Sequence, residues 1–228
     1  MIIITGASRG IGKFLFDRYQ KSDVEVFGTY NSTISKAMNK DTLFKVDVSS
    51  FTEVSSWIKK IENKLDKIIL INCAGINYNS FAHKAEIGKW EEVIKVNLLG
   101  TFYVIRNLLP YMRYQKYGRI INFSSVAAQI PTPGLSAYAA SKSALWGMTR
   151  SLASENGAKG ITINNINLGY SAIGMGAEEV PSEYSELIKN RIPSNEFCSP
   201  EDIFNTVEFI INTKYINGSS IDLNGGIS

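Results

Sequence analysis

Short runs of β-branched and aliphatic residues alternate along this chain with longer stretches in which apolar positions recur every three or four residues. Seven runs read as strands: residues 2–5 (IIIT), 24–30 (VEVFGTY), 42–48 (TLFKVDV), 67–75 (KIILINCAG), 119–125 (RIINFSS), 161–169 (ITINNINLG) and 219–226 (SSIDLNGG). Helical spacing fills the gaps, most plainly over 51–65 and 90–114. The strand runs are apolar on both alternating faces, so each is expected to be covered on both sides, as in parallel sheets flanked by helices. The pattern predicts an α/β fold, a doubly wound parallel sheet of about seven strands with helices on both faces. No internal repeat or low-complexity linker breaks it. One domain is expected over residues 1–228, with the loosest segment, 170–199, as a long insertion near the C-terminal end.

Composition narrows the classes. The 228 residues are 44% hydrophobic, enough for a full core. No apolar run reaches the roughly 18 residues of a membrane span. The N-terminal MIIITGAS lacks a basic flank and reads as a buried strand rather than a signal peptide, so a cytoplasmic location is expected. The net charge is only +3, and the basic stretch 113–119 (RYQKYGR) reads as a solvated helix end. Neither nucleic acid nor a membrane is therefore an expected partner. Two cysteines, Cys73 and Cys198, and the single His83 supply too few ligands for a Cys/His metal site, so no metal is expected.

Candidate chemistry begins after the first strand, in TGASRGIG, where Gly6, Ser8, Arg9, Gly10, Ile11 and Gly12 lie between a strand and an amphipathic helix. Glycines there let the backbone approach a pyrophosphate at the positive end of the helix, although glycines also serve plain turns. The second strand ends FGTYNST, with no carboxylate to hold a ribose 2′-hydroxyl. Arg9 can instead face a 2′-phosphate, with Asn31 and Ser32 as donors; the alternative is that Arg9 points to solvent. The expected cofactor is NADP(H), preferred over NAD(H).

A second signal is YAASK, with Tyr138 and Lys142 four residues apart and so on one helical face. An ammonium held against a phenol favours the phenolate and lowers its pKa. A chance surface pair would show the same spacing.

Taken together, TGASRGIG, NCAG at 72–75, VNLLGTF at 96–102, INFSSVAA at 121–128 and YAASK at 138–142 resemble the short-chain dehydrogenase/reductase family in order and spacing. The chain is most similar to its 3-oxoacyl-acyl-carrier-protein reductase group, and the resemblance runs through INGSSIDLNGG at 216–226. It implies a Rossmann-like fold and an NADPH-dependent carbonyl reductase. It places the general acid/base on Tyr138, with Lys142 lowering its pKa and bonding the nicotinamide ribose. Ser125 would hold the substrate oxygen, and Asn97 would kink its helix and support a proton-resupplying water chain. Asp47 and Val48 match the pair that brackets the adenine. Asn72, Ala74 and Gly75 match the turn against the cofactor, although Asn72 also reads as a strand tie. Cys73 reads as a small buried filler, and Ser124 as non-catalytic.

The chain departs from the family pattern after the sixth strand, in NLGYSAIGMG at 167–176. Leu168 stands where a proline is usual and Ile173 where a threonine holds the nicotinamide carboxamide. Gly169 and Ser171 are the cofactor contacts expected here, Ser171 compensating for Ile173. Glu178, Glu179, Glu183, Glu186 and Glu196 make an acidic rim that disfavours an acidic carrier protein, while Arg106, Arg113 and Lys116 offer a basic face elsewhere. The expected substrate is a ketone, a 3-oxoacyl thioester or a small polar or sugar-derived ketone; a non-catalytic NADP-binding subunit is the remaining alternative. The resemblance also implies a homo-oligomer, a tetramer or dimer. Leu145, Met148 and Leu152 suit either a subunit contact or packing on the sheet. His83 reads as a solvated loop residue or a contact at the site's mouth.

Overall fold

The computed structural model describes residues 1–32, 41–175 and 182–227. Its strands are β1 (Ile2–Thr5), β2 (Val26–Tyr30), β3 (Leu43–Lys45), β4 (Ile69–Asn72), β5 (Gly118–Ser125), β6 (Ile161–Leu168) and β7 (Ser220–Leu223). They form one seven-stranded sheet in the order β3-β2-β1-β4-β5-β6-β7, with every pairing parallel. The helices are α1 (Gly10–Tyr19), α2 (Phe51–Ile61), α3 (Ile87–Ile94), α4 (Thr101–Gln115), α5 (Ser136–Asn156), α6 (Ser185–Lys189) and α7 (Pro200–Asn212). The order reverses between β1 and β4, and such a switch point opens a crevice at the carboxyl ends of the strands.

Adjacent strand residues feed opposite cores, which is why the strands read as unbroken apolar runs. Ile3, Leu70, Ile120 and Ile163 pack with Val54, Trp57, Val104 and Leu108 of α2 and α4. Ile4, Ile71 and Ile121, next to the first three in sequence, pack with Ile166 and with Leu15, Phe16, Ile203 and Val207 of α1 and α7. Local signals set the helix starts. Ser50 caps α2 by accepting from the Glu53 N–H, and Ser199 with Asp202 forms a capping box for α7 ahead of Pro200.

Three of the departures from the pattern-based boundaries bear on the site. The periodic stretch 90–114 is broken by a π-helical turn at Lys95–Gly100, between α3 and α4. β3 stops at Lys45 because the Asp47 carboxylate turns the chain, accepting from the N–H and Oγ of Ser49. β4 stops at Asn72 because the Thr5 hydroxyl takes the next two N–H groups, those of Cys73 and Ala74. Within the 170–199 insertion, the chain returns to its own start. Ala172 N–H donates to Cys198 O, and Cys198 N–H to Tyr170 O.

Candidate active site

The β1 side of the crevice is main chain laid on main chain. Gly6 has φ +66°, and a Cβ there would stand 2.8 Å from Ala74 Cα. A Cβ on Gly12 would stand 2.3 Å from Gly6 O. Only glycine fits either place. α1 begins immediately behind this loop with no side-chain cap and no acid in its first turn. Its first amides and positive end therefore face the cleft unspent, a setting for a phosphate. Gly6, Ser8, Arg9, Gly10, Ile11, Gly12, Asn31, Ser32, Asp47, Val48, Ala74 and Gly75 all line this cleft. The exposed Arg9, Asn31 and Ser32 lie on it together, and no carboxylate stands between Phe27 and Ser32.

Of the other expected cofactor contacts, Asn72, Gly169, Ser171, Tyr138 and Lys142 do not line this cleft. Asn72 lies inside the sheet, 4% exposed, and donates from Nδ2 to Asn122 Oδ1 at 2.8 Å. It is a strand tie, because β4 and β5 pair these two residues in register. Ser171 is buried and donates to Ile173 O at 2.7 Å, so its hydroxyl is committed within its own turn. Gly169 and Ser171 line the neighbouring pocket rather than the glycine-walled cleft. Gly169 packs so closely on β7's exit that a Cβ would stand 2.8 Å from Asn224 Cα. Gly176, Glu178 and Glu179 lie outside the described residues.

That neighbouring pocket holds Ser125, Tyr138 and Lys142. Ser125 ends β5, and its Oγ accepts from Ala127 N–H at 3.2 Å, leaving its own O–H to donate. Lys142 is 5% exposed; its Nζ donates to Phe123 O at 2.6 Å and lies 5.5 Å from the centre of the Tyr138 ring. Burial pulls its pKa down to about 8, against a smaller opposing pull from Cys73. A Cβ on Gly75 would stand 3.7 Å from Lys142 Nζ, so the ammonium also reaches the cleft wall. Asn97, in the π-turn, uses both ends of its amide. Oδ1 accepts from Ile76 N–H, and Nδ2 donates to Ile76 O and to Ser141 Oγ, at 2.9, 2.9 and 3.0 Å. It thereby ties the chain after β4 to α5.

Ser124 is spent on α5, accepting from Trp146 Nε1 and donating to Lys142 O. The cleft and the pocket share Ile11, Cys73 and Met175, so they form one continuous depression. Burial raises the Cys73 thiol well above its ordinary range, which disfavours its thiolate. Apart from Lys142 the pocket's described wall carries no charged side chain; Val126, Leu135, Leu168, Tyr170 and Met175 line much of it.

Sequence reasoning missed several of these: Ile76, Glu92 and Val96 on the cleft, and Leu135, Tyr170 and Met175 in the pocket. Val96 had a usable signal, its place beside Asn97. His83 sits exposed in a short turn at Ala82–Lys84, beside the Phe81 ring. The Leu145, Met148 and Leu152 stripe packs on the chain's own core: Leu145 and Leu152 are buried, and Met148 is half-buried against that core. Arg113 donates to Asn156 Oδ1, and with Lys116 it lies where the chain enters β5, at the opposite end of that strand from Ser125. Among the described residues no helix is long and apolar enough to cross a membrane, and no group of three or more His, Cys, Asp or Glu side chains converges.

Comparison with known proteins agrees with this geometry. The short chain dehydrogenase family model matches residues 1–183. A 3-oxoacyl-[acyl-carrier-protein] reductase of Staphylococcus aureus is 32% identical over 238 aligned residues, covering 99% of this chain and 96% of the relative. Another from Rickettsia bellii is 35% identical over 234, covering 99% and 95%. An acetoacetyl-CoA reductase of Shinella zoogloeoides is 34% identical over 232, covering 98% and 96%.

Proposed function

The chain belongs to the short-chain dehydrogenase family, and on that premise we propose that it is a nicotinamide-dependent oxidoreductase that reduces the 3-oxo group of an acyl thioester, using NADPH in preference to NADH. One observation carries the reading. Ser125, Tyr138 and Lys142 meet on the wall of an otherwise uncharged, largely apolar pocket that opens into the glycine-walled cleft. An acyl chain suits such a wall better than a polar sugar ketone, whose hydroxyls would lack partners there. The names of the relatives point to the same substrate class.

The cleft's glycine approaches and the unspent α1 terminus suit a dinucleotide's phosphates, and Arg9 with Asn31 and Ser32 suits a 2′-phosphate. When bound, the reduced nicotinamide supplies hydride. The protein's own part is the oxygen end of the carbonyl. Ser125 donates its O–H to that oxygen, and Tyr138 donates beside it. Charge gathering on the oxygen is stabilised as it forms, and the phenol's proton then completes the alcohol. Lys142 favours the phenolate left behind. Its proton is also readily exchanged, since burial already holds its pKa near 8.

The test is consumption of reduced nicotinamide, followed by its absorbance, with acetoacetyl-CoA and a panel of polar ketones. NADPH and NADH are run side by side. Rapid, Tyr138-dependent use of NADPH with the thioester is expected. Turnover confined to polar ketones would overturn the substrate class; a lower KM for NADH would overturn the cofactor choice.

A further inference from the structure

Asp222 lies in neither depression, yet its carboxylate joins the roots of two pocket walls. In the parallel register Ser124 pairs with Asn167, and Asn167 with Asp222. Directly paired residues point to one face, so the three form a row across β5, β6 and β7. Ser124's bonds to Lys142 O and Trp146 put that row on the α5 side. Asp222 Oδ1 accepts from Asn167 Nδ2 at 2.7 Å and from Gln129 Nε2 at 3.1 Å, and Oδ2 lies 3.3 Å from the same Gln129 nitrogen.

Gln129 closes the turn that follows Ser125. Its N–H and that of Ile130 both donate to Val126 O, while Ala127 N–H donates to Ser125 Oγ. Asn167 precedes Leu168, which pairs with Ser125 across the sheet and lines the pocket. Asn167 is 1% exposed, and its Oδ1 has no partner among the described residues. Its Nδ2 bond to Asp222 is thus the buried amide's one side-chain tie, and a bond to a carboxylate is stronger than a neutral one.

We propose that Asp222 is a positioning residue: by holding Gln129 and Asn167 together it sets the Ser125 turn against Leu168, and so aims the Ser125 hydroxyl at the substrate oxygen. The kinetic consequence rests on the reductase reading above. The conformational consequence does not, and the test uses both.

Hydrogen–deuterium exchange of the intact protein is compared among wild type, Asp222→Ala, Asp222→Asn and Gln129→Leu, followed by thioester kinetics and NADPH titration. Gln129 is exposed, and its loss leaves the Asn167–Asp222 bond in place, so that variant is expected to fold. Faster exchange confined to 126–131 is expected in Asp222→Ala and Gln129→Leu. Asp222→Asn keeps an acceptor at the Oδ1 position and is expected to restore most of the protection. kcat/KM should fall about tenfold in the first two variants, the equivalent of one hydrogen bond to a charged group, with NADPH affinity unchanged. Unchanged exchange at 126–131 in both variants overturns the proposal. So does a rise spread over the whole chain with weakened NADPH binding, which marks a merely structural role. If wild type turns over no 3-oxoacyl thioester, the reductase reading fails, while the exchange comparison still decides the role of Asp222.

Discussion

On the β1 side of the crevice, Gly6 passes Ala74 and Gly12 passes Gly6 at distances that leave no room for a methyl group. On the β5 side, side chains do the joining. Lys142 bonds Phe123 O, Trp146 bonds Ser124, and Thr149 sits between Asn122 and Asn165. The first wall is shaped by the absence of side chains and holds its form through backbone contact. The second is a chain of side-chain hydrogen bonds between α5 and the sheet, most of them buried. A wall of the first kind is intolerant of one added carbon. One of the second kind tolerates little loss of a polar partner, because a buried donor or acceptor is then left unpaired.

The sharpest way to separate the two is Tyr138→Phe. It should lower turnover about a thousandfold, within the range for a lost general acid, and leave NADPH binding intact. Parallel kinetics and a fluorescence titration check both halves at once. Gly12→Ala should do the reverse. A Cβ 2.3 Å from Gly6 O forces the backbone to shift, at about 1–3 kcal/mol, seen as roughly ten- to hundredfold weaker NADPH binding. Equal NADPH affinity in the alanine variant would break the comparison.

Arg9→Ala should lower NADPH affinity by about tenfold, the loss of one charge-assisted contact, and leave NADH affinity nearly unchanged. Lys142 adds a pH signature. Burial lowers its pKa from 10.5 to about 8 in the folded protein. Below pH 8 both folded and unfolded chains carry the charge. Between about 8 and 10.5 the folded chain releases the proton first while the unfolded chain keeps it. Its contribution to stability therefore rises with pH across that window, by at most about 1.4 kcal/mol per unit. kcat/KM for reduction should fall over the same window, as the charge that favours the phenolate is lost. Denaturation and rate profiles of wild type and Lys142→Met check the opposed trends; parallel slopes in the two proteins would remove Lys142 as their source. The smallest effect is expected for Thr149→Val, a loss of about 1–2 kcal/mol in stability from the two hydrogen bonds to Asn122 and Asn165 that go with the hydroxyl. Urea denaturation measures it, with turnover little changed.

The glycine loop and the Tyr138–Lys142 pair were legible because each depends on residues within a single turn or loop. The inner strand runs were legible for a related reason: both faces of β1 are buried, so Ile2, Ile3 and Ile4 had to be apolar together. The asparagines of ITINNINL could be assigned to a strand but not to partners. Asn165 became a network member only once β6 was placed beside β5 and β7, opposite Asn122 and Ser220. The apolar period did not show the π-turn, although the resemblance implied a kink at Asn97. One extra residue in a turn barely shifts the apolar period, yet it turns Asn97 inward to clamp Ile76. Asn72 read equally as a cofactor contact or a strand tie, and the tie to Asn122 became visible only with the sheet assembled.

By itself the sequence determined the alternation of strand and helix, the apolar runs of the inner strands, the glycine loop and the shared helical face of Tyr138 and Lys142. All of these follow from interactions between residues a few positions apart, where backbone geometry leaves little choice. The tertiary structure decided what spans the sheet. Asn72 meets Asn122 across 50 positions and Gln129 meets Asp222 across 93, and neither pairing exists until strand order and register bring them within bonding distance. The same holds for Lys142, whose lowered pKa is a property of the strands and helices that exclude water from it.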